Sequence, residues 1–144
     1  MKIYLDNCSY NRPFDDQLQV KIRLETEAKI YIQASVISKR YFLVWSYMLD
    51  FENDSNPYEE KRNAINPWKE IANEYCPSSN AILSEGLRYM EYGIKAKDAL
   101  HIACAVKCGC QYFITTDKKL LNKTFNEIRI IDPIDFLKET EGLE

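Results

Sequence analysis

Apolar residues in this chain fall into short runs separated by turn-forming residues, and the runs alternate between strand-like and helix-like spacing. Residues 2–6 form an apolar run closed by Asp6-Asn7, residues suited to a turn, and predict a first strand. Residues 42–45, 112–115 and 128–131 predict three more. A Pro-containing loop is expected over 8–16. A helical pattern then runs from Asp15 or Asp16 to Ser38, with Leu18, Ile22, Leu24, Ala28, Tyr31 and Ile32 as a broad apolar stripe. Lys39-Arg40 suit the dipole at its end. Ser46 is placed to cap a short helix carrying Leu49, Asp50 and Glu52. With Asn56 as cap and Pro57 at the first position, a polar helix is expected to about Glu74, bent near Pro67. Further helices are predicted from Ser78 or Ser79 to Glu91, from Ala96 to Lys107 with Gly109 as its stop, around Leu120-Leu121, and from Asp132-Pro133 to about Thr140. Short apolar strands alternating with helices predict an α/β fold, a parallel sheet flanked on both faces by helices.

The chain has 144 residues, which fits one domain over 1–144 with a core of its own. A net charge of −3 excludes a global basic field, so a polyanion would have to be held by local lysines and arginines plus a metal. Cys8, Cys76, Cys104, Cys108 and Cys110 are an odd number, no signal peptide is expected ahead of them, and no apolar run approaches the ~20 residues of a bilayer span. A cytoplasmic protein with reduced thiols and no membrane partner is expected. Cys104, Cys108 and Cys110 lack a paired C-x-x-C and a fourth ligand, so small buried residues explain them better than zinc.

Chemistry enters with four acids at the ends of predicted elements. Asp6 closes the first strand, Asp117 follows the third, Asp98 opens an apolar helix, and Glu52 lies a turn or two into the helix after the second strand. Unpaired carboxylates are poor core material. In a parallel sheet, groups just past strand ends collect in the crevice at the carboxyl edge, where all four acids can converge. Their mutual repulsion then calls for a cation, and oxygen donors of this kind suit Mg²⁺ or Mn²⁺.

The segments Ile3-Tyr4-Leu5-Asp6-Asn7, Ser46 with Glu52 six residues on, Lys97-Asp98-Ala99-Leu100-His101-Ile102-Ala103, and Phe113-Ile114-Thr115-Thr116-Asp117 resemble, in this order, the motifs of PIN domains. These are metal-dependent nucleases that include VapC-type toxins. The resemblance implies a three-layer α/β/α sandwich with a short, mostly parallel central sheet, and single-stranded RNA as substrate. It implies that Asp6, Glu52, Asp98 and Asp117 bind one or two Mg²⁺ or Mn²⁺ ions. Asp6 and Asp98 would hold the catalytic metal, Asp117 would complete its shell or orient the attacking water, and Glu52 would contribute to this or a second metal. Asp50 lies close to Glu52 and competes with it for the second acidic position. Asn7 and Thr115 take supporting places beside the first and last acids. A homodimer and an antitoxin protein encoded elsewhere are the partners that the resemblance implies.

Arg12, Lys97 and Lys118, with Lys95 and Lys119, lie in or beside the acidic motifs and are candidates for phosphate contacts. Tyr10 and Trp45 are candidates for stacking on bases. His101, the one histidine, is read as a packed or hydrogen-bonded core residue rather than a general base. Two other functions compete. A phosphatase of the haloacid-dehalogenase type needs a second Asp two residues after the first, where this chain has Cys8. A PIN-like scaffold that pairs with another protein without catalysis would not need four intact acids.

Overall fold

The computed structural model describes residues 1–11 and 19–142, the side chain of Asn11 excepted. Five strands form one sheet: β1 (Lys2–Leu5), β2 (Phe42–Ser46), β3 (Glu74–Cys76), β4 (Tyr112–Ile114) and β5 (Arg129–Ile131). Their order is β3-β2-β1-β4-β5 and every neighbouring pair is parallel. Leu5 lies opposite Ile114, so the carboxyl ends of β1 and β4 are level. The chain steps outward from β1 to β2 and β3, then returns to place β4 on the other side of β1. The reversal leaves a crevice at the ends of β1 and β4, the place where parallel sheets bind ligands.

Between β1 and β2 lie a single turn, α1 (Cys8–Asn11), and a long helix, α2 (Val20–Ile37). After β2 come α3 (Tyr47–Asp54), α4 (Glu59–Ile65) and α5 (Pro67–Ile71). The helices α6 (Asn80–Met90) and α7 (Ala96–Lys107) precede β4, α8 (Lys118–Leu121) separates β4 from β5, and α9 (Pro133–Glu141) ends the described chain. These helices flank the sheet in the expected α/β/α layers, with α2 against α9 and α6 against α7. Their starts obey local chemistry: Ser46, Ser79 and Asp132 each accept an amide hydrogen, from Leu49, Ile82 and Asp135. The core is the buried aliphatic set of β1, β2 and β4 together with Tyr4, Trp45, Phe113 and Phe136. No helix among the described residues is long and apolar enough to cross a membrane.

Three expectations need correction. The polar helix expected from Pro57 to Glu74 is two helices and a strand. Pro67 opens α5, Asn56 precedes α4 by making a turn onto the Tyr58 amide, and 74–76 add an edge strand. That strand is fixed from outside, because Asn73 exchanges hydrogen bonds with Leu43 through its side-chain oxygen and its backbone amide. The loop over 8–16 begins as a helical turn, α1. The apolar stripe of α2 is only half right. Ala28 and Ile32 are buried, whereas Leu24 and Tyr31 are exposed, and Thr26, Lys29 and Ser35 share the inner face. Those polar groups are satisfied by carbonyls: Thr26 by Ile22, Lys29 by Cys8 and Ser35 by Tyr31. The predicted start of α2 at Asp15 or Asp16, and Leu18, lie outside the described residues.

Gly86 lets α6 approach α7, since a Cβ there would lie 2.8 Å from Leu100 Cδ2. Gly86→Val is expected to destabilise by about 1–3 kcal/mol through overpacking, measured by urea unfolding. In a Leu100→Ala background most of that cost should vanish.

Candidate functional site

Asp6, Glu52, Asp98 and Asp117 line one open cavity of about 370 Å³ at the carboxyl edge of the sheet, with Asn7, Cys8 and Thr116. Asp6 directly follows β1 and is almost fully buried. Its Oδ1 accepts from the Asn7 amide at 2.8 Å and its Oδ2 from the Thr115 hydroxyl at 2.7 Å. Thr115 in turn accepts from the Asp117 amide at 3.1 Å, so one hydroxyl ties the ends of β1 and β4 together. Asp117 caps α8 by accepting from the Lys119 amide, and it also lines the cavity. Asp98 sits in the first turn of α7.

Glu52 reaches the cavity from α3 and Asp50 does not. Asp50 is held on another side by Trp45 Nε1, Lys69 Nζ and the Tyr75 hydroxyl. Behind Glu52 stands His101, fully buried. Its Nε2 contacts Glu52 Oε1 and its Nδ1 meets the Tyr4 hydroxyl, which lies 2.6 Å from Ser46 Oγ. One proton order satisfies every group. The Leu49 amide donates to Ser46, Ser46 to Tyr4, and Tyr4 to His101 Nδ1, which leaves the hydrogen on Nε2 to point at the Glu52 carboxylate. The expectation of a hydrogen-bonded core histidine agrees with this placement.

Asp6, Asp98 and Asp117 have no lysine or arginine ion-pair partner among the described residues, whereas Asp50, Glu74, Glu85, Glu139 and Glu141 do. Burial, with Asp6 and Asp117 nearby, pushes the Asp98 carboxyl up from 3.8 to about 6. The side-chain oxygen of Asn7, in the same cavity, is buried without a partner among the described residues. One oxygen each of Asp6 and Glu52 and one His101 ring nitrogen lie within 4.8 Å of one another. Because both ring nitrogens of His101 already have partners, the oxygen set is the better fit to a cation, and hard oxygens select Mg²⁺ or Mn²⁺. Burial, with Asp6 beside it, pushes the Cys8 thiol up, so a bound thiolate is disfavoured.

The basic candidates separate. Lys95 and Lys119 line a second cavity that shares Asp98 and Asp117 with the first, whereas Lys97 and Lys118 line neither. Lys97 Nζ lies 5.6 Å from the Phe51 ring centroid. Arg12 falls outside the described residues. Tyr10 and Trp45 pack edge to face in the interior and offer no face to a base. Sequence reasoning did not find Lys123 or the cavity places of Cys8 and Thr116. Adjacency to Asp6 and Asp117 was the available signal for the latter two.

No protein-family model matches the chain, and no curated protein matches its sequence. Solved structures share its fold. One is a chain from the crystal structure of VapBC2 from Rickettsia felis bound to a DNA fragment from their promoter. It matches with a TM-score of 0.61 at 10% identity, over 92% of this chain and 98% of that one. A chain of VapBC-1 from nontypeable Haemophilus influenzae matches with a TM-score of 0.53 at 18% identity, over 93% and 99%. The resemblance to PIN domains read from the motifs is thus met in the fold.

Two measurements check this geometry. The raised Asp98 carboxyl means that the folded chain holds its proton more tightly than the unfolded one. Ionised Asp98 therefore costs stability above pH about 6, and the cost disappears below its ordinary value of 3.8. At about 1.4 kcal/mol per unit, discounted for partial exposure, Asp98→Asn should stabilise the metal-free protein by on the order of 1 kcal/mol at pH 7.5. It should give no gain at pH 3.5, and Mn²⁺ should favour the wild type instead; thermal unfolding reads all three conditions. Tyr4→Phe should cost about 1–3 kcal/mol by leaving buried His101 Nδ1 without a donor. As His101 is the one histidine, its ¹⁵N ring resonances can be followed without assignment, and they should move in that variant.

Proposed function

We propose that this protein is a divalent-metal-dependent endoribonuclease that hydrolyses phosphodiester bonds of single-stranded RNA, with Asp6, Glu52, Asp98 and Asp117 as its metal-binding and catalytic residues. The observation that carries this reading is the meeting of four carboxylates from four separate elements in one cavity, three of them with no basic partner among the described residues. A fold tolerates that much repulsion at a strand switch point where a cation relieves it.

A bound Mg²⁺ or Mn²⁺ would neutralise charge on the phosphate and make a water more acidic. The chain's own contribution is placement. Asp6 is held by the Asn7 amide and Thr115, so its carboxylate is oriented before any ligand arrives. Asp98, from the first turn of α7, completes the pair assigned to the catalytic ion. Asp117 is fixed through its backbone to Thr115 and is assigned to complete the ion's shell or to hold the attacking water. Glu52, steadied by His101, supplies further oxygen donors. In hydrolysis the water oxygen bonds to phosphorus as the bridging P–O bond breaks and the leaving oxygen takes a proton.

The fold shared with chains from two VapBC structures supports the role of toxin in a toxin–antitoxin pair. The partners proposed are an antitoxin protein encoded elsewhere and a second copy of this chain, and the site of action proposed is the cytoplasm.

A labelled single-stranded RNA pool tests the reading. Cutting is expected with Mn²⁺, none with EDTA, and only background with folded Asp6→Asn or Asp98→Asn. Equal cutting by either variant and wild type would sink the assignment.

A further inference from the structure

The second cavity, about 540 Å³, adjoins the acidic one through shared Asp98 and Asp117 but has a different character. Its floor is apolar, from buried Ile94 and Leu120. Around this floor stand Lys95, Lys119 and Lys123, with the Asn122 amide beside them. Neither Lys95 nor Lys119 has an ion-pair partner for its ammonium group among the described residues. Lys123 is anchored by one hydrogen bond, 2.8 Å to the Tyr92 carbonyl, which leaves two donors. Gly93, at φ +82°, makes the turn that presents that carbonyl. A side chain there would begin 3.8 Å from the ammonium nitrogen.

We propose that this cavity is a subsite for the nucleotide next to the scissile phosphate, with Lys95, Lys119 and Lys123 taking its phosphate oxygens and Asn122 meeting a polar base edge. The proposal rests on the nuclease reading and extends it by fixing the side of the acids on which the strand lies. The volume falls in the range of small-ligand sites, roughly 300–1,000 Å³. An apolar floor suits a ribose or base face, and flanking ammonium groups suit phosphate. Charge sets the order of events. Three lysines and two carboxylates line the same cavity, so a strand entering the metal-free site meets opposed charges. A divalent cation on the carboxylates leaves the lysine charge uncompensated. Metal and strand therefore bind with positive, reciprocal coupling.

The test is fluorescence anisotropy of a labelled phosphorothioate single-stranded RNA, slow to hydrolyse, with and without Mn²⁺. Mn²⁺ should tighten wild-type binding. Lys95→Gln, Lys119→Gln and Lys123→Gln should each weaken the Mn²⁺ complex by about fivefold. Each should also flatten the salt dependence by about 0.7 in log–log slope for every phosphate that is no longer neutralised. Lys107→Gln, at the far end of α7, should bind as wild type. Wild-type affinity and slope in all three cavity variants would overturn the subsite, and so would Mn²⁺ leaving affinity unchanged. RNA cutting with lysine-independent binding would remove the subsite and leave the nuclease. Lysine-dependent, Mn²⁺-tightened binding without any cutting would overturn the nuclease reading and with it the assignment of this cavity to the nucleotide beside a scissile phosphate.

Discussion

The Thr115 hydroxyl donates to Asp6 and accepts the amide hydrogen of Asp117, and the geometry of the carboxyl edge depends on this bridge. β1 and β4 are parallel neighbours, so their ends are level, and the hydroxyl adds to this a fixed orientation of the Asp6 carboxylate against the Asp117 backbone amide. A hydroxyl has one hydrogen and two lone pairs, and here it spends them on both strands. Removing it would leave the Asp6 carboxylate held by the Asn7 amide and a long contact from Cys8. The stability lost by crowding acids is offset elsewhere, in the aliphatic faces of β1, β2 and β4 and in the capped starts of α3, α6 and α9.

A second bridge works at longer range. Ser46 caps α3 and also begins the chain of hydroxyls that ends, through Tyr4 and His101, on Glu52. Glu52 is thus placed twice by one residue, through the helix that carries it and through the imidazole behind it. A buried network of this kind is stable only when every member is satisfied, which ties the position of Glu52 to the packing of the core.

Where local chemistry decides, the sequence is readable. The limits of α7 follow from its apolar spacing and the Gly109 stop, and Ser46, Ser79 and Asp132 announce their helices. Asp6 and Asp117 were legible because each ends a short apolar run. Where a distant partner decides, it is not. β3 is three residues without a pattern, placed by Asn73 on Leu43. The inner face of α2 contains Lys29 because the Cys8 carbonyl receives it. Glu52 and His101 meet from different helices, and nothing local distinguished Glu52 from Asp50. Lys123 carries no motif; the turn at Gly93 brings it to the cavity.

The two outer strands of the sheet have a consequence for how copies of the chain can meet. β3 and β5 are three residues each, and both carry charge at the margin: Glu74 is paired with Lys2 and Arg129 with Glu139. Tyr75 is held down by Asp50. Margins so short and so polar give an incoming strand little to add to, and extending the sheet from one molecule to the next is disfavoured. The five-stranded sheet is therefore complete in itself, and it ends where this chain's own strands end.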